Sequence, residues 1–301
     1  MYKFRSCIFP IAGSSVFAAA VCSSVIIMSS FFEDGLTGSR LLAQEAPPPT
    51  EDQGEARQAL NQGVQSFNNG QYEKAINEFQ RAKLLDPKLL NARLYLATAY
   101  ASQYIPGAPS EINRELGRKA VEEFRSVLEI DPQNLSAIDG IGSIVFQMGG
   151  TPYDPAKFEE SKSYHQKHIQ IKSKDPEPYY WVGVIDWTLS FRANNGMRER
   201  YNKAHLAHQV TDTEPLSADV RQDYARDYGA IIDEGIESLL RAIALRPDYD
   251  DAMAYLNLLY RRKADVVASP SEREDFLLMA DALVDRVKEI KQKRPEQYSQ
   301  P

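Results

Sequence analysis

Thiols are scarce in this chain of 301 residues: it has two cysteines, Cys7 and Cys22, both near its start. Everything beyond residue 22 therefore lacks the means to build disulfides, cysteine nucleophiles or thiolate metal sites. Histidine is little commoner, with four copies in two pairs, His165/His168 and His205/His208. Each pair is spaced i, i+3, which on a helix puts both rings on one face, and neutral imidazoles so placed can hold Zn, Cu or Ni. No HExxH accompanies them and the pairs belong to different elements, so surface or packing histidines are the favoured reading. A histidine-dependent metal-binding protein or metalloenzyme is the alternative. There is no GxSxG elbow or glycine-rich phosphate loop either, and Asp186 and Asp233-Glu234 have no partner that the sequence can place beside them. No catalytic residue and no cofactor is assigned. Basic excess is also missing: the formal charge is -7, spread over mixed-sign runs such as 111–125, so nucleic acid is not an expected partner.

Charge disappears altogether from Ile8 to Phe32, behind Lys3 and Arg5 and ahead of Glu33 and Asp34. A membrane span needs about 20 mostly apolar residues, and a basic flank stays in the cytoplasm, so residues 1–43 read as an export signal or an uncleaved anchor. Ala43 is the candidate cleavage position. Lipidation at Cys22 is disfavoured because Val21 stands where a small residue is wanted. Residues 44–55, with Pro47-Pro48-Pro49, read as an extended linker. The remainder is expected in the periplasm or cell envelope, with membrane contact only through the first segment.

What the sequence has in plenty is helical periodicity, with no sustained two-residue alternation. From Asn68 to Pro87 a turn at Asn69-Gly70 leads into Tyr72, Ala75, Ile76, Phe79, Ala82 and Leu85, one apolar stripe, and Asp86-Pro87 stops it. Comparable stripes predict five hairpins: 56–67 with 68–87, 91–102 with 115–130, 136–147 with 155–172, 177–191 with 232–245, and 251–263 with 272–293. A Pro/Gly-rich loop, 104–109, interrupts the second. The stretch 192–231 is too long for a plain loop and predicts one or two extra helices, one of them 218–231 running into the repeat helix. Ser271 and Glu274 form a capping box for the last helix.

The order small, aromatic, small, proline at Ala75, Phe79, Ala82 and Pro87 resembles the tetratricopeptide repeat. Gly63, Leu96, Ala97, Tyr100, Ala120, Phe124 and Pro132 fit the same pattern, as do Gly183, Leu239, Ala242 and Pro247. The third hairpin departs from it, with Ser161 or Tyr164 for the small residue and His165 or His168 for the aromatic. The resemblance implies an all-α, right-handed superhelical solenoid of about five helical hairpins with insertions over 56–295, followed by a short tail, 296–301. It also implies a non-catalytic interaction scaffold for a protein or peptide, whose first helices line a concave groove. By register that groove is Phe67, Leu94, Thr98, Ser143, Phe146, Tyr180, Val184 and Trp187, with Phe146, Tyr180 and Trp187 on one surface. The Lys and Asn with which the family clamps carboxylate tails are missing from these positions, so a C-terminal carboxylate is not the expected ligand.

A reporter fused after residue 54 is expected to be active only outside the cytoplasm. Activity inside would contradict the export reading.

Overall fold

A computed structural model describes residues 51–297. The segment read as export signal or anchor, most of the linker and the last four residues lie outside the described residues. Among those described there are ten helices and no strand: α1 (Glu51–Asn68), α2 (Tyr72–Leu85), α3 (Leu90–Gln103), α4 (Glu111–Ile130), α5 (Leu135–Gly150), α6 (Pro155–Ile171), α7 (Pro176–Ala204), α8 (Ala218–Leu245), α9 (Asp250–Ala264) and α10 (Pro270–Gln297). They pair in order into five antiparallel hairpins, and each hairpin packs on the next.

The stop and start signals act locally as the residue types dictate. Gly70 takes φ +73° in the first turn, a conformation that side chains with a Cβ rarely adopt. Asn134, Asp154 and Asp175 each accept a backbone N–H at the start of α5, α6 and α7, and Pro155 and Pro176 follow two of these caps, where a missing N–H costs nothing. Within α2 the stripe Ala75, Phe79 and Ala82 is fully buried.

Close approach inside the hairpins depends on residues without a side chain. A Cβ on Gly63 would stand 2.4 Å from the Phe79 ring, and one on Gly183 would stand 2.3 Å from Leu239 Cγ. In the third hairpin the same seat, opposite Gly142, is taken by His165, with Nε2 2.9 Å from such a Cβ. Ser161 is the small residue there, and its hydroxyl donates to the Gly142 carbonyl at 2.7 Å.

Four expectations are corrected. Residues 51–55 are helical and belong to α1, because Glu51 and Asp52 suit a helix N-terminus and nothing before Ala56 breaks the turn. The helix α4 begins at Glu111, since Ser110 caps it by accepting the Asn113 N–H at 3.2 Å. The cap of α10 is Ser269, which accepts the Glu272 N–H at 3.4 Å, and Ser271 lies inside the helix behind Pro270. The 192–231 stretch holds no separate extra helix: α7 runs on to Ala204, α8 starts at Ala218 as expected, and only 205–217 is loop. The apolar period simply continues, with Ala193, Met197, Tyr224 and Tyr228 packing into the same core as Trp187 and Leu239.

The end of this long hairpin is bolted to its neighbour by one buried cation. Arg198, 3% exposed, donates to Asp265 at the end of α9 at 3.1 Å, and to the carbonyls of Thr211 at 2.6 Å and Glu214 at 3.0 Å. A guanidinium this deep is tolerable only because its donors are met, and meeting them fixes the loop.

Candidate functional site

The sequence PYYWVGVIDWTLSF sets the middle of α7. Tyr180, Val184, Trp187 and Phe191 recur at four-, three- and four-residue steps, so they share one helix face, which runs along the seam with α9. Rings from neighbouring elements join them into a row. Phe146 meets Trp181 at 5.6 Å between centroids, Trp181 meets Tyr180 at 5.5 Å, and Tyr180 meets Tyr255 at 5.7 Å. Tyr255 then meets Trp187 at 5.3 Å edge to face, and Trp187 stacks on Phe191 at 5.0 Å. Each such pair adds about 0.5–1.5 kcal/mol beyond area burial. All six rings are half-buried, so the row is fixed by packing and still reaches the surface.

Phe146, Tyr180 and Trp187 are therefore connected, but through Trp181 and Tyr255, which the repeat register did not select. Each stands one residue beyond an inward position, and a large ring reaches back across that step. Val184 is corrected: it is 1% exposed and offers no surface, because a valine between Tyr180 and Trp187 is too short to reach past them. In the earlier hairpins the wall is thinner. Phe67 lies edge to face with Tyr72 at 5.4 Å, Leu94 is half-buried on the core, Thr98 donates to the Leu94 carbonyl at 2.8 Å, and Ser143 accepts from Gln147 at 3.4 Å.

The charges that flank the row are paired within the chain. Burial first, then Tyr255 and the Asp251 and Glu177 carboxylates, push the Tyr180 phenol well above its usual range. Glu177 itself accepts from Arg246 at 2.8 Å and from the Tyr249 hydroxyl at 2.7 Å. At Phe191 the Arg262 guanidinium lies over the ring, 5.9 Å from its centre, and pairs with Asp265 at 3.3 Å.

His165 and His168 both face α5, as their spacing implies, but they engage different partners there, and only the first member of the second pair lies at a helix end. His165 is 2% exposed and stacks on Trp181 at 5.7 Å, and burial lowers its pKa to about 3, so it is a neutral core ring. His168 turns to Asp139, 2.7 Å from Nδ1, and to Asp175, 3.6 Å from Nε2. His205 caps the end of α7 and His208 follows in the loop, both exposed. Among the described residues no group of three or more His, Cys, Asp or Glu could hold a metal ion.

Asp186 does have a partner that the sequence could not place. It is fully buried, and Lys162 of α6 donates to it at 2.9 Å and to Glu234 of α8 at 3.2 Å. Burial pushes the Asp186 carboxyl up to about 7, while Lys162, although burial opposes its charge, is held above the usual lysine range by Asp186 and its neighbours. The network ties three helices together across the third and fourth hairpins.

Five antiparallel hairpins in which Gly63, Gly142 and Gly183 seat Phe79, His165 and Leu239 decide the architecture. The fold is a tetratricopeptide-repeat solenoid. Solved structures agree: "Crystal structure of MamA protein" is similar with a TM-score of 0.52 at 14% identity, over 82% of this chain and 97% of that one. "MamA 41-end from Desulfovibrio magneticus RS-1" gives 0.52 at 15% identity, over 79% and 96%. A structure titled "Crystal structure of YrrB: a TPR protein with an unusual peptide-binding site" gives 0.47 at 14%, over 79% and 92%. No family model and no curated protein matches the chain.

The solenoid should show a histidine-linked alkaline weakness. Burial opposes the charge of His168, but the hydrogen bond from Nδ1 to Asp139 at 2.7 Å and the carboxylate of Asp175, 3.6 Å from Nε2, raise its pKa to about 9. A folded pKa above the unfolded value of about 6.5 contributes stability that is complete below pH 6.5 and lost as pH rises towards 9. Urea unfolding of His168→Gln should show a loss of about 1–3 kcal/mol at pH 6 that shrinks towards zero at pH 9. A deficit independent of pH would contradict the assignment.

Proposed function

We propose that the protein is a non-catalytic scaffold, exported to the cell envelope, whose first helices hold a peptide segment or protein partner along their inner wall. The observation that carries this reading is the row of half-buried rings across α5, α7 and α9. Rigid aromatics supply large contact area at little entropic cost, and they dominate the energetics of interfaces. The uncharged run Ile8 to Phe32 behind Lys3 and Arg5 supports export. The histidines give the metal reading little support, since His165 is enclosed by packing and His168 is engaged by two carboxylates.

The wall can be tested without emptying the core. Thr98 and Ser143 are half-buried wall positions, and Arg at both should abolish capture of the partner by tagged protein in its native extract while leaving the melting temperature within about 2 °C, as surface changes do. Capture unchanged by the double variant would place the binding surface elsewhere.

A further inference from the structure

The apolar interior of the solenoid is interrupted where α6 meets α7. Buried apolar side chains of α2, α3, α4 and α5 form one contiguous core, from Ala75 and Phe79 to Ile144 and Val145, with Leu60 of α1 and Tyr164 of α6 packed on it. A second core runs from Tyr224 and Ile232 of α8 to Leu256 and Leu259 of α9, with Tyr180 and Trp187 of α7 and Leu283 of α10. Between them lies a small cluster, Phe158 of α6 with Ile185 and Leu189 of α7, on which Phe146 packs. We propose that this seam is a hinge, and that α1–α6 and α7–α10 are two blocks that part along it while each keeps its own core.

Helix packing is the first reason. At the other seams two helices of one hairpin hold the next: α1 and α2 both pack on α3, α3 and α4 on α5, and α7 and α8 on α9. At the seam between the third and fourth hairpins α6 packs on α7, and α5 reaches α7 through the Phe146 ring, 5.6 Å from Trp181. Each repeat of a solenoid touches its neighbours alone, so cohesion is a sum over seams, and the one that is braced on a single helix divides the array.

The chemistry of the seam is the second reason. Lys162 of α6 donates to Asp186 of α7 at 2.9 Å and to Glu234 of α8 at 3.2 Å, Gln166 donates to Glu234 at 2.8 Å, and His168 Nε2 stands 3.6 Å from the carboxylate of Asp175, the cap of α7. When two surfaces part, apolar burial is lost outright, whereas each of these polar contacts can be exchanged for one to water, so they add little net hold. Both ring nitrogens of His165 and Oδ2 of Asp186 are moreover buried with no hydrogen-bond partner among the described residues. His165 lies on α6 against Trp181, and Asp186 lies on α7, so the unmet groups stand on both sides of the seam, and opening it admits the water that they lack.

The inner wall is affected as well. Phe146 belongs to the first block, while Trp181, Tyr180, Tyr255, Trp187 and Phe191 belong to the second, so motion at the seam changes the row of rings between Phe146 and Trp181.

The chain has no cysteine beyond residue 22, so a single thiol can serve as the reporter. Ile141, Ile185 and Ile232 are each 0% exposed and lie in the first core, the seam and the second core. Each is replaced by cysteine in turn in the full chain carrying Cys7→Ser and Cys22→Ser, and labelling by iodoacetamide is followed without denaturant. Ile185→Cys should be modified at least about tenfold faster than Ile141→Cys and Ile232→Cys, because parting two blocks requires less free energy than unfolding either. Lys162→Met leaves Asp186 buried without its cation, and should speed Ile185→Cys by a further threefold or so, about, while the other two stay within about twofold. Equal labelling of the three, no response of Ile185→Cys to Lys162→Met, or an equal gain at all three would overturn the proposal. So would a fast Ile185→Cys whose urea midpoint has fallen in proportion, since its thiol would then be reporting global unfolding.

Discussion

The distance between paired helices is the constraint on which the rest of this molecule depends. Leu239 can sit against α7 only because residue 183 has no Cβ, and Phe79 against α1 only because residue 63 has none. Close packing of this kind leaves no slack, so each hairpin fixes the tilt of its second helix, and the second helix in turn carries the next hairpin. Stacking then buries what one hairpin cannot bury alone, which is why the chain needs several.

The third hairpin shows what happens when the pattern is bent. A histidine takes the aromatic seat, and a serine the small one, so the interior there is polar, and it satisfies itself only in part: both ring nitrogens of His165 and one oxygen of Asp186 find no hydrogen-bond partner among the described residues. Ser161 bonds to the Gly142 carbonyl, Lys162 spans to Asp186 and Glu234, and His168 is held by Asp139 and Asp175. Buried polar groups of this sort contribute little net stability when paired and cost much when one partner is removed. They also demand particular neighbours, and the same segment of the solenoid carries the rings of the inner wall. Packing on one side of α7 and the aromatic row on the other are thus set by one helix.

Most of the architecture was legible in residue spacing. Proline and Asx stops, glycine crossings and apolar stripes gave five hairpins in the right order, because each is a local or nearest-neighbour effect. Boundaries slipped where a cap competes with another nearby, as with Ser269 against Ser271, or where helical period runs on without a stop, as in α7 beyond Phe191. The wall was legible in part. Register selects the helix face, and so it found Phe146, Tyr180 and Trp187, but it cannot say that Trp181 and Tyr255 lean across to link them or that Val184 is closed over. Nor can spacing reveal that Lys162 meets Asp186, since that contact depends on how two hairpins stack.

The claim that glycine crossings set the helix spacing is tested most directly by a double-mutant cycle at Gly183 and Leu239. Alanine at 183 alone should cost about 1–3 kcal/mol in denaturant unfolding, in spite of a gain of up to about 1 kcal/mol in helix propensity, because its methyl group has no room. With Leu239→Ala already in place the space is open, and the same change should become neutral or favourable, a coupling well above the roughly 0.5 kcal/mol expected of independent sites. An equal loss in both backgrounds would contradict the account, since it would mean that something other than this contact sets the distance between α7 and α8.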